Sequence, residues 1–233
     1  MRNHPFTSAI IVAAGNATRM GLDTPKQLLI INGKTVIERT LSVFESCPLI
    51  DEIVVVTRAE DIKTITEITR PYTKLKAIVP GGEERSDSVK NGVLAANKES
   101  QFFVIHDGAR MLVTEEEIIN VIETAYTKNA ATLGTPVTDT VKVVDSMTII
   151  STPDRSTLYA VQTPQVFEKK LYLCALQNAK DKRLRVTDDC SMVEALGEQV
   201  TIAIGKYTNI KLTTKTDLLF AEAILREREK DLI

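Results

Sequence analysis

Short β-branched runs alternate with stretches of helical period along the first half of the chain. "AIIVAAG" (9–15) reads as a strand running into a loop. "TVIERTLSVFESC" (35–47) sets Val36, Thr40, Val43 and Phe44 near one face of a helix. "EIVVVT" (52–57) reads as a strand, and "AEDIKTITEITRPY" (59–72) as a helix that stops near Pro71. "LKAIVPG" (75–81) predicts a strand, "SDSVKNGVLAAN" (86–97) a helix and "QFFVIHDG" (101–108) another strand. "TEEEIINVIETAYTKN" (114–129) opens as a capping box: Thr114 caps the helix, Glu117 reaches back, and Ile118, Ile122 and Ala125 line one side. The strands are continuously apolar rather than alternating, which marks burial on both faces under crossover helices. The expected fold class is α/β: a doubly wound, mostly parallel sheet.

The rhythm breaks near 137. "VTDTVKVVDSMTIISTPDRSTLYAVQ" has no helical period, and Val141, Val143, Ile149 and Ile150 suggest two short strands around a turn near 145–146. This predicts a protruding β-hairpin arm at about 137–158, within a single domain spanning 1–233. Helices resume at 168–179 and 187–198, a strand follows at 200–205, and "NIKLTT" (209–214) precedes a last helix at 216–231.

With 233 residues, 43% hydrophobic and 26% charged, the chain is long and apolar enough for a real core. A net charge of −2 gives no global positive field for nucleic acid, so a small anionic substrate needs locally placed Arg and Lys. No apolar run approaches the ~18–20 residues of a membrane span, and the N-terminus lacks a secretory-signal pattern. Cys47, Cys174 and Cys190 show no CxxC spacing and read as reduced thiols of a cytoplasmic protein. Two histidines, His4 and His106, are too few for a His-rich metal site.

In doubly wound sheets, ligands bind where strands end and loops begin. The polar residues there are 15–26, 81–88 and 107–110. "AAGNATRMGLDTPKQ" (13–27) is not a dinucleotide fingerprint: Asn16 and Ala17 follow Gly15, and Glu38, the only candidate ribose acid, lies inside a predicted helix. Nor is it a Walker A loop, since Gly21 comes one residue late and Leu22 follows it. What remains is a possible backbone anion nest at 15–18, with Arg19 and Lys26 as fixed cations, or else a surface turn with two solvated charges. In "GGEERSDSV" (81–89), Ser88 offers a hydroxyl and the glycines let backbone approach a planar base; a plain helix-capping turn is the alternative. In "HDGAR" (106–110), Asp107 suits a ribose hydroxyl, a substrate hydroxyl or a magnesium-bound phosphate. Arg110 suits that Asp or a phosphate, and His106 reads as a packed strand residue.

The motifs "AAGNATRM…PKQ", "GGEERSDSV", "HDGAR", "VQTPQVF", "VTDDCS" and "NIKLTT" occur in this order. Together they resemble the 2-C-methyl-D-erythritol 4-phosphate cytidylyltransferases, over about residues 8 to 228. The resemblance implies a Rossmann-like nucleotidyltransferase that joins CTP to methylerythritol phosphate and releases pyrophosphate in the non-mevalonate isoprenoid pathway. It implies Mg²⁺, or another divalent metal, as cofactor. By the same resemblance Ala13, Ala14, Gly15, Gly82, Glu83 and Ser88 surround the cytosine and ribose, and Gly15, Arg19 and Lys26 hold the triphosphate. Asp107 lies near ribose, magnesium and acceptor, and Lys211 contacts the α-phosphate. The family's arm makes a homodimer, and Thr140 and Arg155 match the arm positions that reach across to the partner's acceptor phosphate. The catalytic set implied is Arg19, Lys26, Arg155 and Lys211, with Asp107, Arg110, Thr140 and Arg155 for the acceptor.

Two positions depart from the pattern: Ala17 where a second glycine is usual, and Met111 where proline is usual. Both bear on loop rigidity, since a methyl group restricts positive φ. Three rivals stand beside the family reading. One is the same transfer to ribitol 5-phosphate, although "HDGAR" favours the methylerythritol enzymes over a sister family that more often shows "HDSVRP". The others are a nicotinamide oxidoreductase and a nucleotide-binding regulator without catalysis.

Overall fold

The structure, a computed structural model, describes residues 3–15, 21 and 24–230. Seven strands form one sheet: β1 (Thr7–Val12), β4 (Glu52–Thr57), β5 (Leu75–Pro80), β6 (Phe102–Asp107), β7 (Ala130–Pro136), β10 (Tyr159–Glu168) and β11 (Thr201–Ile204). Their spatial order is β11-β7-β10-β6-β1-β4-β5. Strand β1 pairs in parallel with β4 and β6, as do β4 with β5 and β7 with β11; only β10 runs antiparallel to its neighbours, β6 and β7. The expected mostly parallel sheet is present.

The continuous apolar runs divide by the two-residue period of a strand. Ala9, Ile11, Ile53, Val55, Phe102 and Val104 pack on one face, under α1 (Val36–Ser46), α2 (Ile62–Ile68) and α4 (Glu115–Lys128). Ile10, Val54, Val56, Phe103 and Ile105 pack on the other, under α3 (Arg85–Ala95), α5 (Lys169–Asp181) and α6 (Asp189–Glu194). A third cluster joins α7 (Lys215–Lys230) to the sheet's carboxyl end, where Ala221 and Leu225 meet Leu212, Leu112 and Met111. The last helix thereby brings the "NIKLTT" segment to the strand ends.

Several boundaries differ from the sequence expectation. Strands β7 and β10 are absent from it; in β10 the pair Thr163-Pro164 interrupts the apolar pattern. Proline is tolerated there because the pairing of β10 with β7 shifts register between Val161 and Gln165. The helix expected at 59–72 begins as a 3-10 turn, Ala59–Asp61, and ends at Ile68. The one at 187–198 shrinks to Asp189–Glu194 between its cap, Asp188, and Gly197 at φ +85°. A small hairpin of β2 (Ile30–Ile31) and β3 (Lys34–Thr35) leads into α1.

The arm is a separate hairpin of β8 (Val143–Asp145) and β9 (Thr148–Ser151). Its turn falls one residue later than expected, with Ser146 and Met147 both at positive φ, as a primed hairpin turn requires. Val143, Val144, Met147, Ile149 and Ile150 are exposed on it.

Candidate active site

The loops after β1, β5 and β6 converge with the segment before α7. Gly81 has to be glycine here: a Cβ on it would lie 2.5 Å from the Ala14 Cβ and 2.9 Å from the Ser88 Oγ. The Ser88 hydroxyl accepts the Gly82 N–H at 3.0 Å and donates to the Glu84 carbonyl at 3.1 Å. Ser88 therefore shapes the loop from beneath. A Cβ on Gly15 meets no atom of the described residues within 4 Å, so the space beside it opens into a cavity.

That cavity, of about 250 Å³, gathers Ala13, Ala14, Gly15, Lys26, Gly82, Glu83, Ser88, Asp107 and Lys211 from the sequence expectation. A second, of about 520 Å³, adjoins it and adds Arg110, Gln162, Thr163 and Thr187. Arg85, Asp107 and Lys211 border both. Thr140 and Arg155 are exposed and line neither cavity of their own chain; Arg155 Nη1 donates to the Thr138 carbonyl at 2.7 Å. Arg19 and Ala17 lie outside the described residues.

Asp107 sits at the boundary, 7% exposed. Lys211 Nζ lies 2.7 Å from one carboxylate oxygen, Arg85 Nε 3.3 Å from the other, and Arg110 Nε 3.8 Å away. Burial pushes this carboxyl up, but Arg85, Lys211 and Arg110 together override it and hold it well below the usual carboxylate range. Lys211 is placed by its neighbours. The Leu212 N–H donates to the Ala109 carbonyl at 2.9 Å, and the buried Asn209 donates to Thr163 O and Gln162 Oε1 while its own carbonyl accepts Arg110 Nη1 at 2.7 Å. The Arg110 Nε is buried and has no hydrogen-bond partner among the described residues.

His106 is no acid or base here. Its Nε2 lies 3.1 Å from the Arg110 carbonyl, which can only accept, so Nε2 carries the proton. Its Nδ1 then accepts the Thr163 hydroxyl at 3.1 Å, and Thr163 Oγ1 accepts the Asp107 N–H at 3.0 Å. Full burial pushes the imidazole down to about 3, against the opposing pull of Asp107. The packed reading of His106 holds. Met111 does not loosen the turn: it is buried, and the Arg110 N–H donates to the Asp107 carbonyl at 2.9 Å.

Glu38 closes the capping box of α1, accepting the Thr35 N–H at 2.8 Å, so it is no ribose ligand. That removes the acid a nicotinamide reading needs. Arg85, Thr163, Asp189 and Asn209 carry the site's hydrogen bonds but had no assigned role. For Arg85 a signal existed, as the one cation of "GGEERSDSV"; Thr163 and Asn209 fall within "VQTPQVF" and "NIKLTT", but their neutral side chains pointed to no chemistry.

The model of the family "2-C-methyl-D-erythritol 4-phosphate cytidylyltransferase" matches residues 7–227. The chain belongs to this family. Two bacterial cytidylyltransferases of that name are similar along nearly their whole length. The one from Halalkalibacterium halodurans is 43% identical over 225 residues, covering 96% of this chain and 98% of the relative. The one from Caldanaerobacter subterraneus subsp. tengcongensis is 45% identical over 224 residues, covering 94% and 99%. The crystal structure of 4-diphosphocytidyl-2C-methyl-D-erythritol synthase from Anaerococcus prevotii superposes with a TM-score of 0.87 at 33% identity, covering 95% of this chain and 96% of that one. As a cytidylyltransferase, the chain carries out CTP-dependent cytidylyl transfer to methylerythritol phosphate in the non-mevalonate isoprenoid pathway. Among the described residues, no helix is long and apolar enough to cross a membrane.

Proposed function

We propose that CTP occupies the smaller cavity, that the acceptor phosphate enters the larger one, and that transfer happens at their shared border. The observation that carries this reading is the buried Asp107 carboxylate, ringed by three cations where the two cavities meet. Backbone at 13–15 and 81–83 faces the base and ribose, with Glu83 at the rim. Lys26 and Arg19 hold the triphosphate, and Lys211 turns to the α-phosphate. Arg110, whose buried Nε makes no hydrogen bond among the described residues, serves the acceptor phosphate.

An oxygen of the acceptor phosphate attacks the α-phosphorus. A new P–O bond forms, the α–β bridging bond breaks, and its electron pair leaves on pyrophosphate. The nucleophile is already an anion, so no general base is required, in keeping with a neutral, fully engaged His106. The work of the protein is alignment of two anions and stabilisation of the charge that grows between them.

A divalent cation fits this donor set only as a companion of the nucleotide. Among the described residues no three His, Cys, Asp or Glu side chains gather, and of the acidic residues that line the smaller cavity Glu83 and Glu84 are exposed while Asp107 is buried at the border of the two cavities. Mg²⁺ commonly takes one or two carboxylates with phosphate oxygens and water. Bound with CTP it would neutralise phosphate charge, with Asp107 as the protein group nearest to hold it.

The exposed apolar arm supports a homodimer in which Thr140 and Arg155 complete the partner's acceptor site, since neither lines either of these two cavities in its own chain. Calorimetric CTP titration tests the division of the cavities. Lys26→Ala should weaken CTP binding strongly, whereas Arg110→Ala, which reaches the CTP cavity only through Asp107 and Asn209, should weaken it less and raise the acceptor KM. Equal loss of CTP binding in both variants would refute the division.

A further inference from the structure

Asp107 and Lys211 have roles in the reading above; Arg85, which borders the same two cavities, has none. It opens α3, and its guanidinium forks between carboxylates from distant parts of the chain. Nε lies 3.3 Å from Asp107 Oδ1, and Nη1 lies 2.6 Å from Asp189 Oδ2. Asp189 is fully buried. Its other oxygen accepts the Tyr172 hydroxyl at 2.6 Å, and its backbone N–H donates to Gln165 Oε1 at 3.1 Å. One end of the arginine is thus fastened to buried protein groups. The other end holds one oxygen of Asp107 while Lys211 holds the second.

We propose that Arg85 is a positioning residue for cytidylyl transfer: anchored on Asp189, it keeps Asp107 fixed and neutralised when Lys211 leaves that carboxylate for a substrate phosphate. The proposal rests on the assignment of Lys211 to the phosphate. The two side chains are about equally exposed, 36% for Lys211 and 31% for Arg85, but Lys211 is a point charge on a flexible stem whose ion pair is with Asp107, so it is the one that can turn to a phosphate. Arg85 is planar and tied at both ends, so it does not follow. An incoming phosphate sets more negative charge beside a buried carboxylate. Without Arg85, Asp107 either retains Lys211 or is left to the cation bound with the nucleotide, which already offsets phosphate charge, and a buried carboxylate that loses its protein partners is strongly disfavoured. Arg110 does not fill this role, because its Nε is 3.8 Å from Asp107 and its Nη1 is engaged by the Asn209 carbonyl.

Arg85→Gln alone leaves Asp189 buried without its cation and confounds activity with folding. The double variant Arg85→Gln/Asp189→Asn removes both charges and keeps an acceptor for Tyr172. Arg85→Lys keeps a cation for Asp189 but, as a compact point charge, lacks the planar fork that spans both carboxylates. Thermal melts and steady-state kinetics with CTP and 2-C-methyl-D-erythritol 4-phosphate are measured on the wild type and both variants. The double variant should melt near the wild type while its kcat falls about 10–100-fold, as for a mispositioned reacting group. Both KM values should change less. Arg85→Lys should stay folded, with a kcat between the two. Wild-type kcat in either variant overturns the role, as does a loss that only follows the folded fraction. An inactive wild type overturns the reading of the whole site, and this role with it, so the two failures are distinguishable.

Discussion

The Lys211 ammonium lies 2.7 Å from the Asp107 carboxylate, a pair that ties the segment before the last helix to the end of the central strand β6. Arg85 meets the other oxygen of the same carboxylate. With Lys211 assigned to the substrate phosphate as proposed, its loss should spare stability and impair turnover. Lys211→Ala should lower kcat about 10²–10³-fold, the typical cost of losing one preorganised donor. Its melting temperature should change little, because Asp107 keeps Arg85. Steady-state kinetics with a calorimetric melt check this; a large loss of stability with normal turnover per folded molecule would contradict it.

Two glycines of the nucleotide cavity should fail in different ways. Gly81→Ala forces a methyl group against Ala14 and Ser88 and should cost about 1–3 kcal/mol of stability, as overpacking does. Gly15→Ala meets no atom of the described residues. It should leave the melt unchanged while raising the KM for CTP several-fold, because its methyl group enters the space the nucleotide needs. Equal effects of both substitutions on the melt would count against this placement of CTP.

The buried His106 makes stability depend on pH. Its folded value is about 3, against 6.5 for the unperturbed group. Between those values the unfolded chain holds a proton that the folded chain does not. The stabilisation is complete above pH 6.5 and is lost as pH falls toward 3, at up to about 1.4 kcal/mol per pH unit. Denaturant titrations of the ligand-free protein at pH 5 and pH 7.5 should therefore differ more for the wild type than for His106→Asn. An identical difference in both would show that His106 titrates normally.

The arm carries the prediction of a shared site. Arg19→Ala and Arg155→Ala proteins, each inactive alone, should regain activity when mixed under subunit exchange. Random pairing gives half heterodimers with one intact site each, about a quarter of the wild-type level for a twofold dimer. Exchange without recovered activity would mean that each chain completes its own site.

The apolar runs of β1, β4 and β6 were legible because an element buried on both faces needs no polar alternation. The Thr114–Glu117 capping box was equally plain, and its reciprocal bonds are present at 2.9 and 3.3 Å. The loops at Gly15, Gly82 and Asp107 followed from the rule that ligands bind at strand ends. Strand β10 was hidden by Thr163-Pro164, which reads as a break unless a register shift is known to accommodate it. The Arg85–Asp189 link was also hidden, since charges so far apart in the chain meet only once α3 and α6 share a sheet face. Neutral Asn209 and Thr163 fix Lys211 and Asp107, yet nothing in their residue type announces it.

Acceptor choice is read most directly from turnover of the two related alcohol phosphates. Pyrophosphate release with CTP and Mg²⁺ should be measured with 2-C-methyl-D-erythritol 4-phosphate and with ribitol 5-phosphate in parallel. The account predicts a clear preference in kcat/KM for the methylerythritol substrate; equal or better use of ribitol 5-phosphate would contradict it.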